Sequence, residues 1–208
     1  MANNNSIKFT DRTISDFKSK LKGGGARSNL FEVELNFPSI VTGVTPDDTY
    51  RFLIKAAQLP ASSLSTIPIP FRGRTLKIAG DRSFDPWTIT VINDTEFTIR
   101  NAFERWSNYI NKHDDNSGIV TPANYQSEMR VVQLGRGLVD GTIAGKDSAI
   151  PQLKAYKFYG CWPSDISAID LSYENVDQIE EFQVTFQYQW YDSLDTANTS
   201  ILDTTETI

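Results

Sequence analysis

In residues 29–37, NLFEVELNF, apolar and polar positions alternate strictly. Phe31, Val33, Leu35 and Phe37 share one face, while Glu32, Glu34 and Asn36 share the other, which predicts a half-buried strand. Residues 49–60, TYRFLIKAAQLP, read as a second strand closed by Pro60. In 86–94, PWTITVIND, the side chains of Trp87, Ile89 and Val91 fall on one face of a further strand. The strongest alternation comes near the end, in EEFQVTFQYQWY. There Phe182, Val184, Phe186, Tyr188 and Trp190 oppose Gln183, Thr185, Gln187 and Gln189. Weaker strand patterns occur in SEMRVVQL (127–134), QLKAYKFYGCWP (152–163) and ISAIDLSYE (166–174).

One segment departs from period two. In TEFTIRNAFERWSNYINKH, residues 95–113, Ile99, Phe103, Trp106 and Ile110 recur at helical spacing, with Glu104, Asn108 and Asn111 elsewhere on the wheel. Asn93 or Asp94 can cap this helix by accepting orphan backbone N–H groups. Many strands and one good helix predict a mainly β fold, a sandwich or barrel of antiparallel sheets with a flanking α-helix.

The segment TIPIPFRGRTLKI adds an edge signal. Alternate N–H groups of a strand point to the same edge, so Pro68 and Pro70 remove two donors from one edge and leave the other intact. Gly73, between Arg72 and Arg74, supplies the turn of a hairpin over 67–79. The open edge, with the guanidinium forks of Arg72, Arg74 and Arg82, predicts a contact between subunits. That contact would comprise Arg72, Gly73, Arg74 and the turn at Gly80, Asp81 and Arg82.

Around this framework the chain divides into four parts. Residues 1–28 form a flexible N-terminal arm with room for one short helix, ending in KGGGARS. Residues 29–191 form the domain, with an insertion at 113–151 that contains the glycine-rich GRGLVDGTIAGKDSAIP. That loop is expected to be mobile before assembly, and the Asp- and Thr-rich tail 192–208 to fray.

Composition narrows the chemistry. A length of 208 residues with 39% apolar and 12% aromatic residues suits one globular domain. Twenty Lys and Arg against 26 Asp and Glu give a formal charge of -6, which argues against a nucleic-acid-binding surface. No apolar run approaches the ~20 residues that span a bilayer, and the polar N-terminus lacks a signal-peptide core. With Cys161 alone there is neither an intrachain disulfide nor a cysteine zinc site, and an aqueous, reducing compartment follows. Cys161 lies in an apolar run and reads as a buried, inert thiol.

Catalytic and cofactor patterns fail in turn. His113 follows the helix, and His113-Asp114-Asp115 misses the calcium-loop glycine position. GTIAGKD is one residue short of a phosphate loop and places Asp147 where a metal-binding hydroxyl belongs. Asp81, Arg82 and Asp85 could be paired carboxylates around a cation, the remote hydrolase reading. A turn at Gly80 locked by an Asp81–Arg82 pair, with Asp85-Pro86 opening the next strand, explains the same residues without a missing partner. No metal, no cofactor and no enzymatic activity are expected.

The run IPIPFRGRTLKIAGDRSFDPWTITVINDTEFTIRNAFERW, from Ile67 to Trp106, resembles the tail tube proteins of T-even-type contractile bacteriophages. NLFEVELNF, KAAQLPAS, GCWPSDI and QIEEFQVTFQYQWY match at corresponding places. The resemblance implies two packed sheets with a flanking helix, a fold shared with type VI secretion tube proteins. It further implies hexameric rings, with inner sheets joined into one barrel, stacked into a hollow tube of the virion. Such a tube assembles in the host cytoplasm and carries the tape measure protein and then phage DNA. Implied partners are other copies of the chain, the tail sheath protein, the baseplate tube initiator and the tail terminator, without membrane insertion. A baseplate-associated initiator, or the tube protein of a related contractile injection or secretion system, fits the same resemblance.

Overall fold

One strand organises the molecule. β7 (Gln152–Ile166) bends at Gly160, whose backbone adopts φ +66°. The first half of β7 pairs with β6 (Ser127–Leu134) and β9 (Trp190–Leu194), and the second half with β8 (Glu181–Gln187). Two further strands extend the β8 side, β5 (Trp87–Ile92) and then β2 (Ile54–Ala57); β1 (Phe31–Leu35) closes the other side against β6. The sheet order is β1-β6-β7-β8-β5-β2 with β9 beside β7, all pairs antiparallel. The computed structural model describes residues 13–21, 24–41, 49–136, 151–195 and 200–202.

The apolar faces of both sheet halves meet over one core. Trp87 on β5 stacks on Phe158 of β7, with centroids 4.4 Å apart. Val33, Met129, Val131, Ile89, Val91, Phe182, Val184 and Phe186 fill the space around them. Helix α3 (Thr98–Ile110) closes the core with the face expected from its spacing: Ile99, Phe103 and Trp106 are buried and Ile110 is half-buried. Asp94 holds the start of α3 by accepting from the Thr98 backbone N–H (2.9 Å) and hydroxyl (2.7 Å). The indole of Trp106 donates to the Tyr125 carbonyl (2.7 Å) and that of Trp87 to the Gln58 carbonyl (2.7 Å), so neither buried N–H is left unpaired.

Several expectations need correction. Residues 49–60 are not one strand: Thr49–Phe52 form the short helix α2, and only Ile54–Ala57 extend. Tyr50 is buried edge-on against Phe37, and Arg51 reaches Glu32 (3.0 Å) and Glu34 (3.6 Å), so tertiary contacts override the strand propensity of the sequence. ISAIDLSYE is not a strand, since β7 ends at Ile166 and no strand lies between it and β8. The final apolar alternation is two strands rather than one. β8 stops at Gln187, the chain passes through Tyr188 and Gln189, and β9 pairs with the other half of the sheet. β9 therefore runs three residues past the expected domain end at 191. The 113–151 segment contributes β6, which sits between β1 and β7, and the short helix α4 (Pro122–Tyr125). In the N-terminal arm Thr13 and Asp16 form a capping box on α1 (Ile14–Lys20). Most of the glycine-rich loop, 137–150, lies outside the described residues, as do 203–208 of the tail.

Candidate assembly surface

Among the described residues, strands β3 (Ser62–Phe71) and β4 (Arg74–Phe84) pair only with each other. The hairpin expected over 67–79 is thus longer at both ends. Its tip is a two-residue turn in which Arg72 (φ +44°) and Gly73 (φ +80°) both take left-handed backbone, the geometry that matches strand twist. Pro68 and Pro70 lie opposite Lys77 and Thr75. Their missing N–H groups belong to the edge turned away from β4, which blunts that edge against further pairing.

The hairpin's two faces differ sharply. Ile67 pairs with Ile78 and Ile69 with Leu76, and Phe71 follows on the same face. All five are exposed, Phe71 by 67% and Leu76 by 60%. Among the described residues no helix or strand packs substantially against the hairpin. An apolar sheet face of this kind left in water marks an interaction site.

Gly80 does not turn the chain, contrary to expectation. β4 runs straight through it, and Gly80 with Asp81 oppose the single residue Ser65 in a bulge. Asp81 and Arg82 form no ion pair; Arg82 instead donates through Nη1 to the Ser62 hydroxyl at 3.0 Å, across the hairpin base. There Phe84 packs against Tyr188 and Tyr191, joining hairpin to sheet. Of the expected contact residues, Arg72, Gly73 and Arg74 sit together at the tip, while Gly80, Asp81 and Arg82 lie near the base. The structure does not bring the two groups together. The apolar face between them was not singled out from sequence, although the spacing of Ile67, Ile69 and Phe71 carried the signal.

At the other end of the β5–β8 pair, residues 168–181 wall a cleft of about 780 Å³ with Lys55 on one side. Its carboxylates include Asp170, Asp177, Glu180 and Glu181. Lys55 pairs with Glu181 (2.6 Å), and Asn93 donates to Glu180 (2.9 Å).

The candidates for chemistry are dispersed. His113 is exposed, and its backbone N–H bonds Asn108 Oδ1 at 3.2 Å. Asp115 accepts from the Ser117 N–H and hydroxyl, which hold its carboxyl below the usual range. Among the described residues no three His, Cys, Asp or Glu side chains are grouped to hold a metal. Cys161 is buried, and burial pushes its thiol up to about 12.

A family model described as phage tail tube protein matches residues 26–194. The chain belongs to the phage tail tube protein family. It is 29% identical over 184 residues to the tail tube protein gp19 of Enterobacteria phage T4, covering 88% of this chain and 99% of that protein. It is 25% identical over 178 residues to the tail tube protein of Serratia phage KSP90, covering 85% and 94%. The fold resembles a chain of the anti-feeding prophage baseplate (TM-score 0.55, 12% identity, covering 83% and 97%). It also resembles a chain of the sheath/tube terminator of an extracellular contractile injection system (TM-score 0.52, 12% identity, covering 81% and 96%). The match spans every strand of the sheet and the hairpin, so the assembly surface belongs to the family's shared domain.

Proposed function

We propose that this chain is the structural subunit of the inner tube of a contractile phage tail. Hexameric rings, closed by pairing between subunits, stack into the hollow conduit that carries phage DNA toward the host. The family match over 26–194 carries this reading. The exposed apolar hairpin supports it, because a lone copy leaves that face in water and a neighbour removes it. The sheath lies outside the tube, an initiator in the baseplate and a terminator bound its ends, and the tape measure protein occupies the bore before DNA. Catalysis has no part in this role.

The bore requires a wall that does not retain a polyanion. The outer faces of the sheet suit it. Thr88 lies opposite Thr185 and Thr90 opposite Gln183, hydroxyls and amides, and at the next position on that face Glu181 is paired with Lys55 (2.6 Å). On the β1–β6–β7 side the cations sit against carboxylates, Arg130 with Glu34 (3.7 Å) and Lys157 with Glu128 (2.6 Å).

The fold likeness to a baseplate chain favours one second reading, a single-ring tube initiator. Quantitative mass spectrometry of purified particles separates the two. A tube subunit outnumbers single-ring baseplate proteins manyfold, whereas an initiator is present at their level.

A further inference from the structure

We propose that the basic tip of the β3–β4 hairpin docks head to tail into the acidic cleft of residues 168–181 on a second copy of this chain. The proposal rests on the tube-subunit reading and names the surface that receives the hairpin.

The two surfaces complement each other in charge. From Ser62 to Gly80 the cations are Arg72, Arg74 and Lys77, and there is no carboxylate. From Ala168 to Glu181 the carboxylates are Asp170, Glu174, Asp177, Glu180 and Glu181, and there is no cation. Within the subunit the basic set and three of the five carboxylates are without an ion-pair partner, among the described residues. Among the described residues Arg74 and Lys77 enter no ion pair, and Arg72 only lies over the Phe71 ring (5.4 Å). Asp170, Glu174 and Asp177 are likewise without an ion pair, while Lys55 and Asn93 occupy Glu181 and Glu180.

The apolar patterns match as well. The hairpin presents Ile67, Ile69 and Phe71, and the cleft segment exposes Leu171 (78%), Val176 (72%) and Ile179 (71%). A loop that turns three large aliphatic side chains to water beside unpaired carboxylates has the makeup of a half-interface: apolar contacts inside a charged rim.

Within one subunit the hairpin base and the cleft lie at opposite ends of the β5–β8 ladder. Trp87 pairs with Phe186 at the hairpin end of the β5–β8 ladder, and Ile92 with Glu181 at the cleft end. The five residue steps of the ladder separate the two ends by roughly 17 Å at ~3.3 Å per residue. No hydrogen bond or ion pair links the hairpin to 168–181 inside the chain, among the described residues. Complementary patches at opposite ends of one molecule form a heterologous contact, which propagates copy after copy along an axis instead of closing a dimer.

Charge exchange tests this. Four proteins are compared for the fraction that sediments as tubes: wild type, Arg72→Glu with Arg74→Glu, Asp170→Lys with Asp177→Lys, and all four changes together. All four side chains are exposed, and circular dichroism checks that each protein folds. Each pair of reversals alone is expected to lower the tube fraction by more than about tenfold, and the combination to recover most of it. Hydrogen exchange of wild-type amides in 168–181 is expected to slow on assembly. If the cleft reversal assembles like wild type, if the combination does no better than the hairpin reversal, or if those amides are unchanged in tubes, the contact is wrong while the tube reading stands. If wild type forms no tubes, the tube reading fails and the contact falls with it.

Discussion

Gly160 and Gln189 meet back to back where both chain segments pass from one half of the sheet to the other. A Cβ on Gly160 would lie 2.7 Å from Gln189 Cγ, and the Gln189 N–H donates to the Tyr159 carbonyl at 2.9 Å. Gly160 also holds φ +66°, a left-handed backbone costly for any residue with a Cβ. Gly160→Ala should therefore destabilise the fold by about 2 kcal/mol, read by urea unfolding. Adding Gln189→Ala should recover the part due to collision and leave the part due to φ. Two equal stabilities for wild type and Gly160→Ala would contradict this account of the bend.

The hairpin's apolar face should matter to assembly and little to folding. Ile67→Thr with Ile69→Thr keeps β-branched side chains on β3 and removes apolar surface that the lone subunit exposes. The unfolding free energy should stay within about 0.5 kcal/mol of wild type, as for other exposed substitutions. Sedimentation should show a raised concentration threshold for tubes. Unfolding of the subunit, or unchanged assembly, would each refute the assignment of this face.

Arg82→Glu removes the bond to Ser62 and reverses a charge at the hairpin base. The expected outcome is a folded monomer that no longer forms rings or tubes, measured by circular dichroism with electron microscopy. Normal tubes would remove Arg82 from the contact.

Alkaline stability should carry the signature of Cys161. Its thiol is raised from an ordinary 9.0 to about 12 because burial penalises the thiolate. Below pH 9 folded and unfolded chains both keep the proton. Between about 9 and 12 the unfolded chain releases it first, so stability falls as pH rises through that window. Tyr188, raised from 10.0 to about 12 chiefly by burial, adds in the same sense. Cys161→Ala should flatten the first part of the slope in unfolding experiments between pH 8 and 11. A thiol reagent should label wild type only at the rate of unfolding.

How much of this was legible beforehand follows residue by residue. The strands β1, β5 and β8 alternate because one face is buried, and α3 shows its spacing because Ile99, Phe103 and Trp106 share one core. The hairpin tip was readable from Gly73 between two extended runs. Three features were not, because distant contacts decide them. Tyr50 and Arg51 make a helix where propensity favours a strand, through Phe37, Glu32 and Glu34. The break at Tyr188 and Gln189 is invisible in period two, since the alternation of β8 continues across it. Gly80 looked like a turn, yet the register of β3 against β4 makes it a bulge, where a Cβ would sit 2.3 Å from Ser65 Oγ. For the assembly surface, residue types were legible at Arg72–Arg74. The acidic cleft was hidden by an apolar pattern that suggested a strand.

DNA carries one charge about every 1.7 Å of its axis, so even a modestly cationic bore would grip it. Open-ended tubes mixed with short duplex DNA at low salt should retain none. Tight, salt-sensitive retention inside the tubes would contradict a wall of hydroxyls, amides and balanced charges.

The central claim is that this chain is the stacking subunit of the tube. Electron microscopy of the purified protein across a concentration series tests it most directly. The account predicts hollow tubes of stacked rings that lengthen as concentration rises. A protein that stays monomeric throughout, or stops at single unstacked rings, would contradict it.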